Sequence, residues 1–255
     1  TDVPFGGNPL AVVLDAEGLT DAQMQAITRE FGYSESTFVL PPNDPANTAR
    51  VRIFTPTREV PFAGHPNVGT AVVLAREWSR TGRVLPEQFL FEEGAGLVPV
   101  ALQLRDGAVV AAELRAPERL AIGVTVAMQD AADCLGLSAS DLRVDGHAPC
   151  VASVGLPFLI VEIASREALR RASGDRSVHA HVLRPIGIDG VYAYVRGDRE
   201  GDWHARMFAP LDNMPEDPAT GSATAAMIAL RAALPDAGER SEERRVGKEC
   251  IAVCR

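Results

Sequence analysis

The sequence predicts an α+β fold of two similar domains, each a curved sheet or strand barrel around a central helix. Three short motifs from the first half recur in the same order in the second half, at offsets of 148, 154 and 157 residues. One helix in each half is apolar on all sides and must be enclosed by other structure. The length of 255 residues also suits two compact domains.

The repeated motifs indicate a duplication within the chain. Each match is weak alone, but three matches in one order predict two copies of one fold. We therefore predict an N-terminal domain at 1–118, lacking its first strand, and a C-terminal domain at 119–239, lacking its last strands. The pairs are Gly7–Val13 with Gly155–Val161, Arg52–Pro56 with Arg206–Pro210, and Ala63–His65 with Thr220–Ser222.

The last residues, 240–255, differ in character from the alanine-rich segment before them. The charged run from Arg240 to Cys250 resembles a translated sequencing adapter. We expect these residues to be a non-native tail and leave them out of the fold prediction. A genuine charged tail, solvated in water, is the alternative.

Local signals place the elements of the first copy. Thr20 and Gln23 form a capping box at the start of a helix, which Gly32 ends. Its apolar spacing predicts that Met24, Ile27 and Phe31 face the core. Two alternating segments around Asp106-Gly107 predict a hairpin. Further strands are predicted at residues 11–14, 37–40 and 51–54.

The second copy follows the same mixture, with strands at 152–163 and 191–195 and a short helix near 166–171. The enclosed helices are those at Val68–Leu74 and Ala223–Leu230. Pro66 suits the first helical position, which would make His65 the N-cap and Ser222 its counterpart. Free N–H groups at such helix starts attract a carboxylate or a developing oxyanion. The two starts would cradle an anionic substrate in a cleft between the domains.

Composition excludes several classes of function. Lys and Arg total 25 against 34 Asp and Glu, a net charge of −9, so nucleic acid is not an expected partner. Apolar stretches are far shorter than the ~20 residues of a membrane span. The four cysteines form no paired CxxC units. A reducing, cytoplasmic location without a disulfide framework is expected.

Four polar residues are candidates for chemistry. Glu35 lies at the start of an apolar strand, where a single carboxylate is usually exposed on the surface. If Glu35 is buried instead, the loss of water raises its pKa toward the range useful for acid–base catalysis. Asp217 precedes the second enclosed helix, where it either favours the helix dipole or handles a proton. His65 and Ser222 are helix caps or ligands of a substrate.

Several motifs together resemble the PhzF-like family, named for phenazine biosynthesis, from Thr1 to about Leu234. The last two of these motifs are specific to that family. The motifs are Gly7-Asn8-Pro9, Ser34-Glu35, Arg52–Pro56, Pro61–Pro66 and Glu216–Ser222.

The resemblance implies a diaminopimelate-epimerase-like fold with the active site between two similar domains. It also implies a cofactor-free, homodimeric isomerase that moves a proton between carbons of a small carboxylate substrate. Glu35, His65 and Asp217 would be catalytic. Asn8, Gly64, Gly221 and Ser222 would bind the substrate. The substrate itself and a role in a phenazine pathway are left open.

Three alternatives accompany this interpretation. Ser222, His65 and Asp217 could act as a hydrolase, although the sequence lacks a GxSxG motif. A non-catalytic protein could keep the cleft and only bind small molecules. His179 and His181 could hold a metal from one strand face, but no acidic ligands accompany them, so an ordinary surface strand is favoured and no metal is expected. Racemisation by two thiols is disfavoured, because no cysteine stands at either helix start.

Overall fold

The computed structural model describes residues 7–116, 118–198 and 202–234, together with the backbone of Ile251–Cys254. The chain divides into two compact units between residues 117 and 118, and Ile251–Cys254 belong to the first. Each unit combines one sheet with helices, which confirms the α+β class. The expectations about residues 1–6 and 240–250 lie outside the described residues.

Among its described residues, the first domain contains seven strands, two helices and a strand from the end of the chain. Its main strands follow the order β1-β2-β3-β5-β6-β7-β14, and β4 pairs with β3. The strands are β1 Leu10–Val13, β2 Glu35–Leu40, β3 Ala49–Phe54, β4 Glu59–Val60, β5 Gln88–Glu93, β6 Gly96–Arg105, β7 Ala108–Arg115 and β14 Ile251–Cys254. The helices are α1 Asp21–Phe31 and α2 Gly64–Arg80.

The sheet of this domain curves over α2, which contacts β1, β2, β6 and β7. Val68, Ala71 and Leu74 of the helix are buried in one core with the inner faces of β3, β5 and β6. An enclosed helix at this position is confirmed. The opposite face of β2 packs beneath α1, where the Phe38 and Phe54 rings meet edge to face at 5.5 Å.

In the part of the second domain that the structure describes, six strands follow the order β13-β12-β11-β10-β9-β8. The strands are β8 Ala121–Thr125, β9 Cys150–Ser153, β10 Pro157–Glu162, β11 Val191–Arg196, β12 Trp203–Ala209 and β13 Met214–Asp217. The helices are α3 Met128–Asp133, α4 Arg166–Arg171, α5 Arg176–Val182 and α6 Gly221–Ala233.

Helix α6 is enclosed less completely than the sequence predicts. Ala223, Ala226 and Met227 are fully buried, and the helix contacts β9 and β10. Thr224 and Ile228, four residues apart, form an exposed stripe on the helix. The main core of this domain lies on the other side of the sheet, beneath α3, α4 and α5.

The duplication is visible in the strand directions of the two sheets. In the first domain β1 and β2 are parallel, and β3 and β4 continue antiparallel. In the second, β10 and β11 are parallel, and β12 and β13 continue antiparallel. The helices α2 and α6 follow the last strand of each set. This correspondence confirms two similar domains.

Two local predictions are confirmed and one is wrong. Thr20 and Gln23 form both bonds of the capping box, and Gly32 ends α1 in the left-handed conformation at φ 65°. Asp106 and Gly107, both at positive φ, form the two-residue hairpin loop. Phe31, however, is 49% exposed and stacks on Tyr33 instead of entering the core, because α1 ends there.

The thiols of Cys134 and Cys150 are free and buried. Burial raises the pKa of Cys134 to about 12, so this thiol is neutral and unreactive at neutral pH. Within the described residues, every helix is too short or too polar to cross a membrane.

Candidate active site

Both helices that carry predicted site residues begin earlier than the sequence indicates. Helix α2 starts at Gly64 with Ala63 as its N-cap, so His65 is the second helical residue. Helix α6 starts at Gly221 with Thr220 as its N-cap, so Ser222 is again the second residue. The prediction of His65 and Ser222 as caps is therefore wrong. The first N–H groups of a helix lack intrahelical acceptors, so Pro66 fits the third position as well as the first.

Glu35 and His65 face each other in the first domain. Glu35 is the first residue of β2 and lies on the same strand face as Thr37, whose hydroxyl meets that of Thr70 on α2 at 2.8 Å. The distance from His65 Nδ1 to Glu35 Oε2 is 3.6 Å, and their side chains are 11% and 13% exposed. The carboxyl group is therefore held close to the start of α2, partly shielded from water.

Asn8 and Gly64 lie beside this pair. The Ser34 hydroxyl donates to Asn8 Oδ1 at 3.3 Å, immediately before Glu35 in the chain. Leu10, two residues after Asn8, is paired with Glu35 in the sheet. Gly64 directly precedes His65. The structure thus collects four of the seven predicted site residues where β1, β2 and α2 begin.

The other three predicted residues lie around the start of α6 in the second domain. Asp217 ends β13 and is 5% exposed. It accepts a hydrogen bond from the hydroxyl of Thr220, the N-cap residue. Gly221 and Ser222 are the first two helical residues. Asp217 and Ser222 therefore belong to a different domain from Glu35 and His65.

The duplication shows where each domain departs from its copy. The repeated motif matches Leu10 of β1 with Phe158 of β10. Leu10 pairs with Glu35, and Leu159 pairs with Val191, so the residue opposite Phe158 and equivalent to Glu35 is Gly190. Likewise Val60 is the counterpart of Asp217, because Val60 pairs with Ile53 of β3 and Asp217 pairs with Met207, the equivalent residue of β12. A buried carboxyl group costs free energy where an apolar side chain would serve for packing. The repeated fold therefore does not require an acid at either position.

Glu93 and Asn67 were not identified from the sequence. Asn67 is fully buried in the first turn of α2, and its Nδ2 donates to the Ala63 carbonyl at 3.1 Å. Burial raises the pKa of Glu93, the last residue of β5, to about 8, and nearby Asn67 partly offsets this effect. The available signal was the two-residue period of Phe89, Phe91 and Glu93, which places Glu93 on the inner face.

The histidines expected on a surface strand lie on a helix. His179 and His181 belong to α5, and His179 is fully buried with its Nε2 at 2.8 Å from the Cys134 carbonyl. Within the described ranges, no three His, Cys, Asp or Glu side chains cluster as metal ligands. His147 is also buried and contacts the Tyr194 hydroxyl at 2.7 Å.

Comparison with known proteins shows which family and which relatives this chain resembles. The family model described as "Phenazine biosynthesis-like protein" matches residues 1–244. An uncharacterized isomerase of Mesorhizobium japonicum is 40% identical over 229 residues, covering 87% of this chain and 74% of the relative. The trans-2,3-dihydro-3-hydroxyanthranilate isomerase of Pseudomonas aeruginosa is 35% identical over 223 residues, covering 86% and 72%.

Solved structures give the same result. A PhzF-family phenazine biosynthesis protein of Bacillus anthracis superposes with a TM-score of 0.79 at 29% identity, covering 92% of this chain and 78% of its own. A hydroxyproline epimerase of Agrobacterium vitis, at 15% identity and a TM-score of 0.55, covers 85% and 66% and shares the fold alone.

Each of the two similar domains has a sheet in contact with a helix that begins at candidate site residues. This is an epimerase-like fold, and the named relatives are isomerases. This protein is therefore an isomerase of that structural class. The chain belongs to the PhzF, or phenazine biosynthesis-like, family.

Proposed function

We propose that the protein is a cofactor-independent isomerase that moves a proton between two carbons of a small carboxylate substrate, with Glu35 as the general acid and base. The observation that carries this proposal is the partly shielded Glu35 carboxyl facing His65 Nδ1 at 3.6 Å. The 35% identical isomerase of Pseudomonas aeruginosa makes trans-2,3-dihydro-3-hydroxyanthranilate the first substrate to try.

In this mechanism the Glu35 carboxylate removes a proton from one carbon, and the electron pair that remains is delocalised within the substrate. The protonated carboxyl group then returns the proton to a different carbon, so nothing is consumed. His65 orients the carboxyl group and assists the movement of the proton. The duplication supports one carboxyl acting as both acid and base, because its counterpart is Gly190.

The helix starts provide the means to bind the substrate carboxylate. Gly64 begins α2 and Gly221 begins α6, and neither N-cap side chain accepts a bond from its helix. The first N–H groups and the positive end of the helix dipole favour an anion. We assign substrate binding to Asn8, Gly64, Gly221 and Ser222, and proton handling to Asp217, a buried acid where the first domain has Val60.

Replacing Glu35 tests the catalytic assignment. The wild-type protein and Glu35→Gln are incubated with trans-2,3-dihydro-3-hydroxyanthranilate in deuterated buffer, and NMR follows product and label at carbon. We expect Glu35→Gln to lose roughly 10²–10⁴-fold in rate, because the amide cannot exchange a proton with carbon. Glu30→Gln, on the exposed surface of α1, is the matched control and retains the wild-type rate.

Three results would contradict the assignment. If label appears at the same rate with wild type and Glu35→Gln, then Glu35 is not the acid and base. If Ser222→Ala abolishes the release of a new acid from an ester or amide, the protein is a hydrolase. Binding of the substrate without turnover or exchange would indicate a non-catalytic binding protein.

We also propose a homodimer with no nucleic-acid or membrane partner and with cytoplasmic location.

A further inference from the structure

Strand β11 sends a tyrosine side chain to helix α6. Val191 and Ala193 of this strand are buried in the main core of the second domain. Side chains alternate along a strand, so Tyr192 between them points to the other face of the sheet, where α6 lies. Tyr192 is 4% exposed, and its hydroxyl oxygen lies 2.7 Å from Oγ1 of Thr224 on α6. The side chain therefore connects the sheet to the first turn of this helix.

The available donors and acceptors fix the direction of this contact. Thr224 Oγ1 also lies 2.8 Å from the carbonyl oxygen of Thr220, the N-cap residue of α6. A carbonyl oxygen only accepts, so Thr224 donates its single hydroxyl hydrogen to Thr220. The Tyr192 hydroxyl is therefore the donor to Thr224 Oγ1. Two hydrogen bonds in series thus run from β11 to the residue at which α6 begins.

Thr220 connects these bonds to the candidate site. Its own hydroxyl donates to Oδ2 of Asp217, and the residues that follow it are Gly221 and Ser222. Its carbonyl also accepts the Thr224 backbone N–H at 3.0 Å. A displacement of Thr220 would therefore move the buried acid and the helix start together.

The bond to the N-cap carbonyl is present in both domains. Asn67 and Thr224 are the fourth residues of α2 and α6. The Asn67 side chain donates to the carbonyl of Ala63, and the Thr224 side chain donates to the carbonyl of Thr220. A side-chain donor at the fourth helical position is thus part of the repeated fold.

The contact from the sheet to this position is different in the two domains. Tyr192 follows Gly190 by two residues. Thr37 follows Glu35 by two residues and is therefore its counterpart. The Thr37 hydroxyl meets that of Thr70, the seventh residue of α2, at 2.8 Å. The longer tyrosine side chain reaches the fourth residue of its helix instead, about one turn nearer to the helix start.

We propose that Tyr192 is a positioning residue for the start of α6. Its hydroxyl, acting through Thr224, holds Thr220 in place and with it Asp217 and the first N–H groups of the helix. Tyr192 acts through these residues and is not itself catalytic. The consequence for catalysis rests on the proposed function, whereas the effect on the start of α6 does not.

NMR of ¹⁵N-labelled protein tests the effect on α6 without any substrate. Tyr192→Phe keeps the ring and removes only the hydroxyl. We expect the Thr224 amide, which donates to the Thr220 carbonyl, to exchange its hydrogen about tenfold faster in this variant. The amide signals of Gly221 and Ser222 should shift as well.

Tyr194→Phe is the matched control for this measurement. Tyr194 is a fully buried tyrosine on the same face of β11, and its hydroxyl contacts His147 and Glu162 instead of the start of α6. This variant should leave the Thr224 exchange rate and the Gly221 signal as in wild type. If Tyr192→Phe leaves both unchanged, or accelerates exchange equally throughout β10 and β11, the hydroxyl does not position α6 and the proposal is overturned.

The kinetic test uses trans-2,3-dihydro-3-hydroxyanthranilate as substrate. We expect Tyr192→Phe and Thr224→Val each to lower kcat/KM about tenfold, mainly through a higher KM, because the start of α6 is proposed to bind the substrate. The double variant should lose no more than either single variant, since both changes break the same series of bonds. Thr224→Ser keeps the hydroxyl and should retain the wild-type value. If Tyr192→Phe fails to fold, Thr224→Val, at an exposed position, still provides the comparison with Thr224→Ser.

Two kinetic results overturn the positioning role: losses that add fully in the double variant, or a loss in Thr224→Ser equal to that in Thr224→Val. Either result would show that the effect does not pass through the hydroxyl of Thr224. Complete inactivity of the wild type would instead count against the proposed function. The exchange rate of the Thr224 amide would then still decide whether Tyr192 holds the start of α6.

Discussion

The pKa values of two neighbouring carboxyl groups on β5 are shifted in opposite directions, because the two side chains lie on different faces of the strand. Glu92 accepts hydrogen bonds from the Asn47 side chain and from the backbone N–H groups of Asn43 and Asp44, which lower its pKa to about 2. Glu93 faces the interior, where burial raises its pKa to about 8. The pKa of the same residue type is therefore lowered at one position and raised at the next.

Replacing Glu92 tests this contrast through stability. A lowered folded-state pKa makes the carboxylate stabilising above the unfolded value of 4.5, and this contribution is lost as the pH falls toward 2. We expect Glu92→Gln to lower the urea midpoint at pH 7, with a difference from wild type that shrinks below about pH 4.5. Glu87→Gln, an exposed neighbour, is the control and should change nothing. A difference that stays constant down to pH 3 would contradict a stabilising role for the ionised carboxylate.

A raised pKa acts in the opposite sense. The unfolded chain releases the Glu93 proton above about pH 4.5, whereas the folded protein keeps it to about pH 8. The folded state therefore loses stability as the pH rises through this window.

At the scale of elements, each domain contains an equivalent ion pair between an arginine and a glutamate, here called a clamp. Arg52 of β3 binds Glu59 of β4 through two bonds at 2.7 and 2.5 Å, and Arg206 of β12 binds Glu216 of β13 at 2.7 and 2.6 Å. Each clamp fixes the short strand that precedes the central helix of its domain. Two-bond pairs of this kind hold geometry better than single contacts.

The two clamps differ in their third partner. Arg52 also binds Asp21, whose side chain is 82% exposed. Arg206 instead donates to three backbone carbonyls at the end of α4, those of Leu169, Arg170 and Ala172. Removing the donor from partly buried carbonyl groups lowers the free energy of unfolding more than removing it from an exposed carboxylate, because the carboxylate can hydrogen-bond to water instead.

Methionine substitutions test this difference, because methionine keeps the apolar stem and removes the donors. We expect Arg206→Met to lower the free energy of unfolding by about 2 kcal/mol and Arg52→Met by about 1 kcal/mol. Hydrogen exchange should show the loss of protection within β12 and β13 for the first variant and within β3 and β4 for the second. Equal losses of stability, or a larger loss for Arg52→Met, would show that the carbonyl contacts are unimportant.

At the scale of the whole molecule, two domains with their own cores leave apolar side chains exposed. Leu97 is 59% exposed in the first domain, and Ile122 and Val124 of the edge strand β8 are 54% and 53% exposed in the second. Exposed apolar surface supports a further protein contact, in line with the proposed homodimer.

Sedimentation velocity over a range of protein concentrations tests the homodimer. We expect a species of twice the 27.2 kDa chain mass at micromolar concentration. Dissociation on dilution should follow mass action. A single 27.2 kDa species throughout this range would show that the protein is monomeric and would refute the proposed assembly.

The sequence by itself determined the duplication, the capping box at Thr20, the hairpin at Asp106-Gly107 and the family, because each of these depends on a few neighbouring residues or on motifs read in order. Only the tertiary structure decided where α2 and α6 begin, that Phe31 is exposed and that His179 is buried on a helix. It also decided that both carboxyl oxygens of Glu93 are buried, which raises the pKa of this group to about 8. The physical reason is that burial and the pKa of a side chain are set by atoms from distant parts of the chain, and no local pattern contains them.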